Sequence, residues 1–333
     1  MSDPLLAVVF ALAALVSLAA SWLLVSALER VGARVGLSEA LLGMLAALAA
    51  DAPEITSAVT ALSHHDQRIG AGVVIGSNVF NLAALIGLSG IVAGRVALHR
   101  RVIELAGAVA LWIAGVTLAV VLGGVSPALG LVLALAVLVP YMVVLGLRHD
   151  RLARLPLPDA WAGWLVAAVT EEETELEAAI HPPRGHARDA LLAGGAVVVV
   201  VGASIAMEQA ASKLGSRHAV PGILIGALAL AAVTSLPNAV AGVYLASRAR
   251  ATAALSTAFN SNAFNVLAGL LVPTTLLGLA APSTQTTFIA ACYLAMTVLV
   301  LLTSYLDRGL RRAAGLVIVT AYAAFTATLL AIS

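Results

Sequence analysis

Charge is scarce in this chain of 333 residues. Asp, Glu, Lys and Arg make up 11% of it, where a soluble domain carries about 25%. Hydrophobic residues make up 61%, and the mean hydropathy is +1.04. That balance excludes a water-soluble globule and predicts a protein embedded in a bilayer. Cysteine is limited to Cys292, in an apolar run, which excludes a disulfide framework and a Cys-based metal site. Lysine is limited to Lys213 among 18 basic residues, and the net charge is +1. No basic surface for a nucleic-acid partner follows from that. The long apolar runs hold no Lys or Arg away from their ends, so an acid inside one has no basic neighbour in its own run.

What the chain does have is apolar length. A helix needs about 20 apolar residues to cross the hydrocarbon layer. Ten runs qualify: 4–28, 38–62, 70–93, 102–122, 126–147, 189–211, 219–246, 252–279, 284–305 and 312–332. The first has Asp3 before it and is long, which favours a retained helix; small residues around Ser17–Ser21 leave a cleaved signal peptide open. One long connection, 148–188, divides the runs five and five. Basic residues favour the cytoplasmic side. With the N-terminus outside, the inner connections hold fifteen of the 18 basic residues and the outer ones hold Arg68, Lys213 and Arg217. Both termini are therefore expected outside a cell membrane, and 148–188 in the cytoplasm.

The two halves repeat. "DAPEITSAV" at 51 matches "SLPNAVAGV" at 235, and "GSNVFN" at 76 matches "NSNAFN" at 260. One offset, 184, relates Pro53 to Pro237, Glu54 to Asn238, Ser77 to Ser261, Asn78 to Asn262 and Asn81 to Asn265. Five spans per half is an odd number, so the second copy inserts upside down. The expectation is an all-α membrane protein of ten transmembrane helices: two inverted five-helix repeats, 1–147 and 189–333, with broken helices at the midplane, an architecture of transporters.

The breaks explain the polar residues. Pro53 has no N–H, so the carbonyl of Ala49 loses its helical partner, and Pro237 does the same to Val233. Such carbonyls are tolerated at membrane depth where they face a cavity or an ion. Asp51 and Glu54 share a helix face, as do Thr234, Ser235 and Asn238. Ser77, Asn78, Asn81, Ser261, Asn262 and Asn265 follow on the next spans. Every candidate donor is an oxygen, which suits Na⁺, Ca²⁺ or Mg²⁺.

These motifs resemble those of the calcium/cation antiporter superfamily, whose best-known members are the sodium/calcium exchangers. The resemblance covers both motif regions, about 36–90 and 219–274. It implies that Glu54 is the calcium-binding glutamate of the first repeat, and that Ser77 and Asn81 are ion ligands. It implies the same of Thr234, Ser235, Ser261 and Asn265 in the second repeat, and of the backbone carbonyls of Ala47 and Ala231. The sequence departs from the family pattern at three places. Asn238 replaces the second glutamate, Ala50-Asp51 replaces Thr-Ser, and Asn265 stands where an acid is frequent. The metal-binding set expected here is therefore Glu54, Asp51 and Asn238, both charges in one half.

Other polar clusters have blander readings. Glu39, Glu104 and Glu208 read as interfacial, His64, His65 and Asp66 as a solvated turn, and "EEETELE" at 171–177 as a solvated acidic face. "WAGWLVAAV" at 161–169 reads as an interfacial segment. Asn78 and Asn262 fit helix–helix contacts as well as ligation. Gly72/Gly76 and Gly222/Gly226 read as close-packing pairs. The chain is expected to exchange a divalent cation, Ca²⁺ first, for Na⁺ by alternating access. The partners expected are cations and lipid, and no cofactor is expected beyond the transported ions. A desolvated carboxylate pair can also trade protons for cations, so a cation/proton exchanger is the alternative within transport. A sensor or scaffold with a degenerate site is the alternative outside it. No nucleophile–base constellation at membrane depth suggests an enzyme.

Overall fold

A computed structural model describes residues 1–37, 39–146, 158–177, 185–247, 251–307 and 309–333. The helices in chain order are α1 (Asp3–Val35), α2 (Glu39–Ala50), α3 (Ala52–Ser63) and α4 (Gln67–Asn81, continuing as a π-helix Leu82–Leu88 and then Ser89–Ala93). Then come α5 (Arg100–Val121), α6 (Pro127–Gly146), α7 (Asp159–Glu177) and α8 (Ala187–Arg217). The chain ends with α9 (Gly222–Leu224, π-helix Ile225–Leu230, Ala231–Thr234), α10 (Leu236–Ser247), α11 (Ala251–Phe264, π-helix Asn265–Leu271, Val272–Leu277), α12 (Thr284–Leu306) and α13 (Arg312–Ala331).

Every expected run is helical, and the boundaries move. Among the described residues seven helices are long and apolar enough to cross a membrane, and the bent pair around Asp51 makes an eighth if it counts as one span. The runs at 222–247 and 251–277 are helical in pieces and lie outside those eight. The protein is a multi-pass membrane protein. Three expectations change. Arg30 and Arg34 belong to the last turns of α1 rather than to a loop. Lys213 and Arg217 likewise close α8. The connection 148–188 contains the helix α7, whose Ala162, Ala168 and Val169 are buried against the bundle. Residues 147–157 and 178–184, and the side chains of 172–177 and Glu39, lie outside the described ones. The chain is also not purely helical: β1 (Arg95–Ala97) pairs antiparallel with β2 (Gly309–Arg311), tying the first half to the second.

Both breaks have the same form. Asp51 stands between α2 and α3 with φ −82° and ψ −3°, and the helices bend by 49° there. Ser235 stands between α9 and α10 with φ −85° and ψ 3°. Each still donates its N–H back four residues, Asp51 to Ala47 O at 3.0 Å and Ser235 to Ala231 O at 3.1 Å. Each is followed two residues later by proline in the first turn of a new helix, where a missing N–H costs nothing. The carbonyl freed by Pro53 gains a side-chain donor from the first helix: Ser21 on α1 bonds Ala49 O at 3.3 Å.

The glycine pairs do pack closely. A Cβ on Gly76 of α4 would lie 2.5 Å from Ala227 Cα, and one on Gly226 of α9 would strike Ile69 O. The backbones of α4 and α9 therefore touch, which brings Ser77 and Asn81 level with the second break. Charge gathers at the two ends of the bundle. Arg30 bonds Asp189 at 2.8 Å and Arg101 bonds Glu171 at 2.6 Å at one end. Asp3 bonds Arg217 at 2.7 Å and Ser212 donates to Asp66 at 3.3 Å at the other.

Candidate functional site

The two breaks meet the polar faces of α4 and α11 in the interior. Asp51, Glu54, Ser77, Asn78, Asn81, Thr234, Ser235, Asn238, Ser261, Asn262 and Asn265 are all buried. Hydrogen bonds link nearly all of them across the two halves. Asp51 Oδ1 accepts from Ser261 Oγ at 2.6 Å and from Asn238 Nδ2 at 2.7 Å. Glu54 Oε1 accepts from Ser235 Oγ at 2.9 Å. So each first-half carboxylate is held by second-half donors.

Four asparagines form a paired core beside them. Asn78 Nδ2 donates to Asn262 O at 3.0 Å, and Asn262 Nδ2 donates to Asn78 O at 3.1 Å. Asn81 Nδ2 donates to Asn262 Oδ1 at 3.1 Å, and Asn265 Nδ2 donates to Asn78 Oδ1 at 3.3 Å. Residues 184 apart thus exchange equivalent bonds, as groups related by a local two-fold axis do. The pairing fails at the serines. Ser261 donates to Asp51 and accepts from Asn81 at 3.2 Å and Asn238 at 3.3 Å, which uses one hydroxyl donor and both lone pairs. The hydroxyl of its counterpart Ser77 has no hydrogen-bond partner among the described residues. The asymmetry follows from the sequence: the first break carries Asp51 where the second carries Ser235, and the carboxylate draws in Ser261.

Five site oxygens, buried to the last atom, lack any hydrogen-bond donor among the described residues: Asp51 Oδ2, Glu54 Oε2, Ser77 Oγ, Asn81 Oδ1 and Asn265 Oδ1. A buried acceptor left unmet costs about 1–3 kcal/mol, more for a charged one. Acceptors without donors are what a bound cation requires. Two of the five are carboxylate oxygens, no Lys or Arg bonds either carboxylate among the described residues, and the other three are neutral. No three His, Cys, Asp or Glu side chains gather as a metal-ligand group among the described residues. This donor set fits a hard cation and not a thiolate- or imidazole-bound metal.

The remaining expected ligands are placed beside this set with other tasks. Asn238 spends its amide nitrogen on Asp51 and Ser261. Thr234 Oγ1 donates to Leu230 O at 2.9 Å, and the carbonyls of Ala47 and Ala231 each accept a backbone N–H. Asn78 and Asn262 make interhelical contacts, each donating to the other's backbone carbonyl while its own side-chain oxygen accepts from Asn265 or Asn81. Two polar groups at the site, Ser57 and Ser21, escaped the sequence reading, and Glu208 is more buried than expected. Ser57, three residues beyond Glu54 and so on its helix face, is buried with an unpartnered hydroxyl; that spacing was a usable signal. Ser21 reaches the first break from a helix with no motif. Glu208, expected at the interface, is 1% exposed and has neither carboxylate oxygen hydrogen-bonded.

The sequence profile of the family described as sodium/calcium exchanger protein matches residues 5–149 and 190–331, most of the chain. The chain belongs to that family. Membership places it in the calcium/cation antiporter superfamily. No curated protein matches it in sequence. Its fold is shared with the sodium-calcium exchanger NCX_Mj, solved in 10 mM Na⁺ and zero Ca²⁺, at TM-score 0.63 and 18% identity over 98% of this chain and 100% of that one. It is shared with the H⁺/Ca²⁺ exchanger CAX at TM-score 0.71 and 15% identity, over 98% and 86%. It is shared also with native YfkE at TM-score 0.66 and 16% identity, over 96% and 91%. These likenesses concern the backbone. In this family member both buried site carboxylates belong to one half.

Proposed function

We propose that the chain is a secondary-active antiporter that carries a divalent cation, Ca²⁺ first, against Na⁺ through one central site. The observation that carries this is the set of five buried oxygens without donors, two of them on carboxylates. Asp51 and Glu54 supply the charge, and Ser77, Asn81 and Asn265 supply neutral oxygens. Ser235, Asn238 and Ser261 hold the two carboxylates in place. Thr234 and the carbonyls of Ala47 and Ala231 border the seat. One set of oxygens cannot coordinate two kinds of ion at once, and that competition is what couples the fluxes.

The framework is ten spans in two inverted halves, 1–147 and 189–333. The matched dihedrals of Asp51 and Ser235 and the reciprocal Asn78/Asn262 bonds support the two-fold relation. The N- and C-termini face outside and 148–188 faces the cytoplasm. In support, the basic residues expected inside, such as Arg30 and Arg101, lie at the opposite end from Lys213 and Arg217.

Proton coupling is the second reading. With no basic group bonded to Asp51 or Glu54, a departing divalent cation must be replaced by other positive charge, and protons supply it as Na⁺ does. Uptake of ⁴⁵Ca²⁺ into proteoliposomes distinguishes the two. An outward Na⁺ gradient at equal pH drives uptake in the first reading. Uptake that ignores Na⁺ and follows an imposed pH gradient assigns the second, and no gradient-driven uptake of any divalent ion refutes both.

A further inference from the structure

A second polar pocket lies at the outer end, away from the breaks. It is a cavity of about 280 Å³ lined by His64, Asp66, Glu208, Gln209, Ser212 and Lys213. Glu208 reaches it from α8, yet its side chain is 1% exposed and both carboxylate oxygens lack a hydrogen-bond donor. The nearest basic nitrogen is His64 Nδ1 at 4.0 Å, too long for a hydrogen bond. Asp66 is exposed at the rim and accepts from Ser212 at 3.3 Å. His64 ends α3, ten residues beyond Glu54, so the pocket is about 15 Å along that helix from the central site. A structural role for Glu208 requires a donor, and the described residues offer none.

We propose that this pocket is a second cation-binding site, with Glu208 as its principal ligand, for a hard divalent cation of the alkaline-earth class. The donor set repeats the chemistry of the centre: two carboxylates, Glu208 and Asp66, with neutral oxygens from Gln209 and Ser212. Lys213 opposes it. One ammonium at the rim leaves a net charge near −1, so the ion binds weakly and leaves readily, which suits an ion on its way in or out. The ligands come from α8 and from the turn between α3 and α4, so an occupying ion ties the end of the helix that carries Glu54 to a helix of the other half.

The site is separable from the central one, and the test uses that. In full-length detergent-purified protein carrying D51N and E54Q, equilibrium dialysis with ⁴⁵Ca²⁺ reads what the central site no longer binds. One weak saturable class of sites is expected to remain. Adding E208Q is expected to weaken it about tenfold or more, because a buried unit charge beside a divalent ion is lost. Adding K213Q instead is expected to tighten it by about threefold, as a like charge at the rim is removed. K213Q keeps the test alive if E208Q folds poorly, which size-exclusion elution reports. No residual saturable binding, or residual binding indifferent to both E208Q and K213Q, overturns the proposal. Strong binding that survives D51N and E54Q unchanged, beside a weak class still sensitive to E208Q, counts against the central assignment alone.

Discussion

Asp51 and Asn238 are in contact, with Oδ1 to Nδ2 at 2.7 Å, and that distance makes a charge-swap experiment quantitative. D51N removes one of two charges facing a divalent ion while keeping side-chain shape. Breaking a buried charge pair costs about 3–5 kcal/mol, so ion affinity should fall about a thousandfold. N238D alone sets two carboxylates 2.7 Å apart. At an effective dielectric of about 20, two unit charges at that separation repel by about 6 kcal/mol, so this variant should also transport poorly at neutral pH. The double variant D51N/N238D restores the count of two charges and moves one of them by less than the width of a water molecule. Ser261 donates to Asp51 and also lies 3.3 Å from Asn238, so it can turn to the relocated carboxylate. The double variant should recover transport to within about tenfold of wild type, the cost of an imperfectly placed charge. Gradient-driven ⁴⁵Ca²⁺ flux in proteoliposomes, normalised to folded protein, reads all three. The reasoning fails if D51N transports normally, or if a well-folded double variant is as inactive as D51N.

Three further outcomes follow from the geometry. S21A removes the donor to Ala49 O and should cost about 1 kcal/mol of stability with ion selectivity kept; an altered cation preference in a competition assay counts against the structural role. G226A places a methyl against the backbone of Ile69 and Val73, whereas G115A meets nothing within 4 Å. Overpacking of this kind costs about 1–3 kcal/mol, so thermal melting should fall for G226A and not for G115A, and equal melting curves refute the close approach. With Cys292 replaced by Ala, T174C should be protected from impermeant thiol reagents in intact cells and H65C labelled; the reverse pattern inverts the proposed orientation.

Much of this was legible because the sequence repeats itself. A proline two residues after each break and a shared S-N-x-F-N fixed which segments face each other, and the reciprocal Asn78/Asn262 bonds are the structural counterpart of that offset. What the sequence hid has two sources. Contacts made by residues without a motif, such as Ser21 to Ala49 O, depend on how α1 lies against the break, which no local pattern encodes. Burial of a polar residue near a helix end depends on neighbours: Glu208 reads as interfacial because the apolar run ends at 211, whereas the helix continues to Arg217 and Glu208 is buried. The β1–β2 ribbon was hidden for the same reason, since its strands are three residues each and far apart in the chain.

The serine asymmetry bears on how many ions the centre holds. A site that obeyed the local two-fold would offer two equivalent seats, one by Ser77 and one by Ser261. The asparagine core obeys it, with equivalent bonds on both sides. The hydroxyls do not, because Ser261 is committed in all three of its bonding capacities while Ser77 is uncommitted. Asp51 is the cause: its Oδ1 draws Ser261 and Asn238 toward the first half, leaving Oδ2 without a donor. The free acceptors at the centre, among the described residues, are then four from the first half, Asp51 Oδ2, Glu54 Oε2, Ser77 Oγ and Asn81 Oδ1, and one from the second, Asn265 Oδ1. Two carboxylates would balance the charge of one divalent ion and leave none for a second. On the proposed reading the centre is expected to hold one divalent cation per chain, because both carboxylates stand in one half; a stoichiometry of two for the centre in equilibrium dialysis with ⁴⁵Ca²⁺ refutes it.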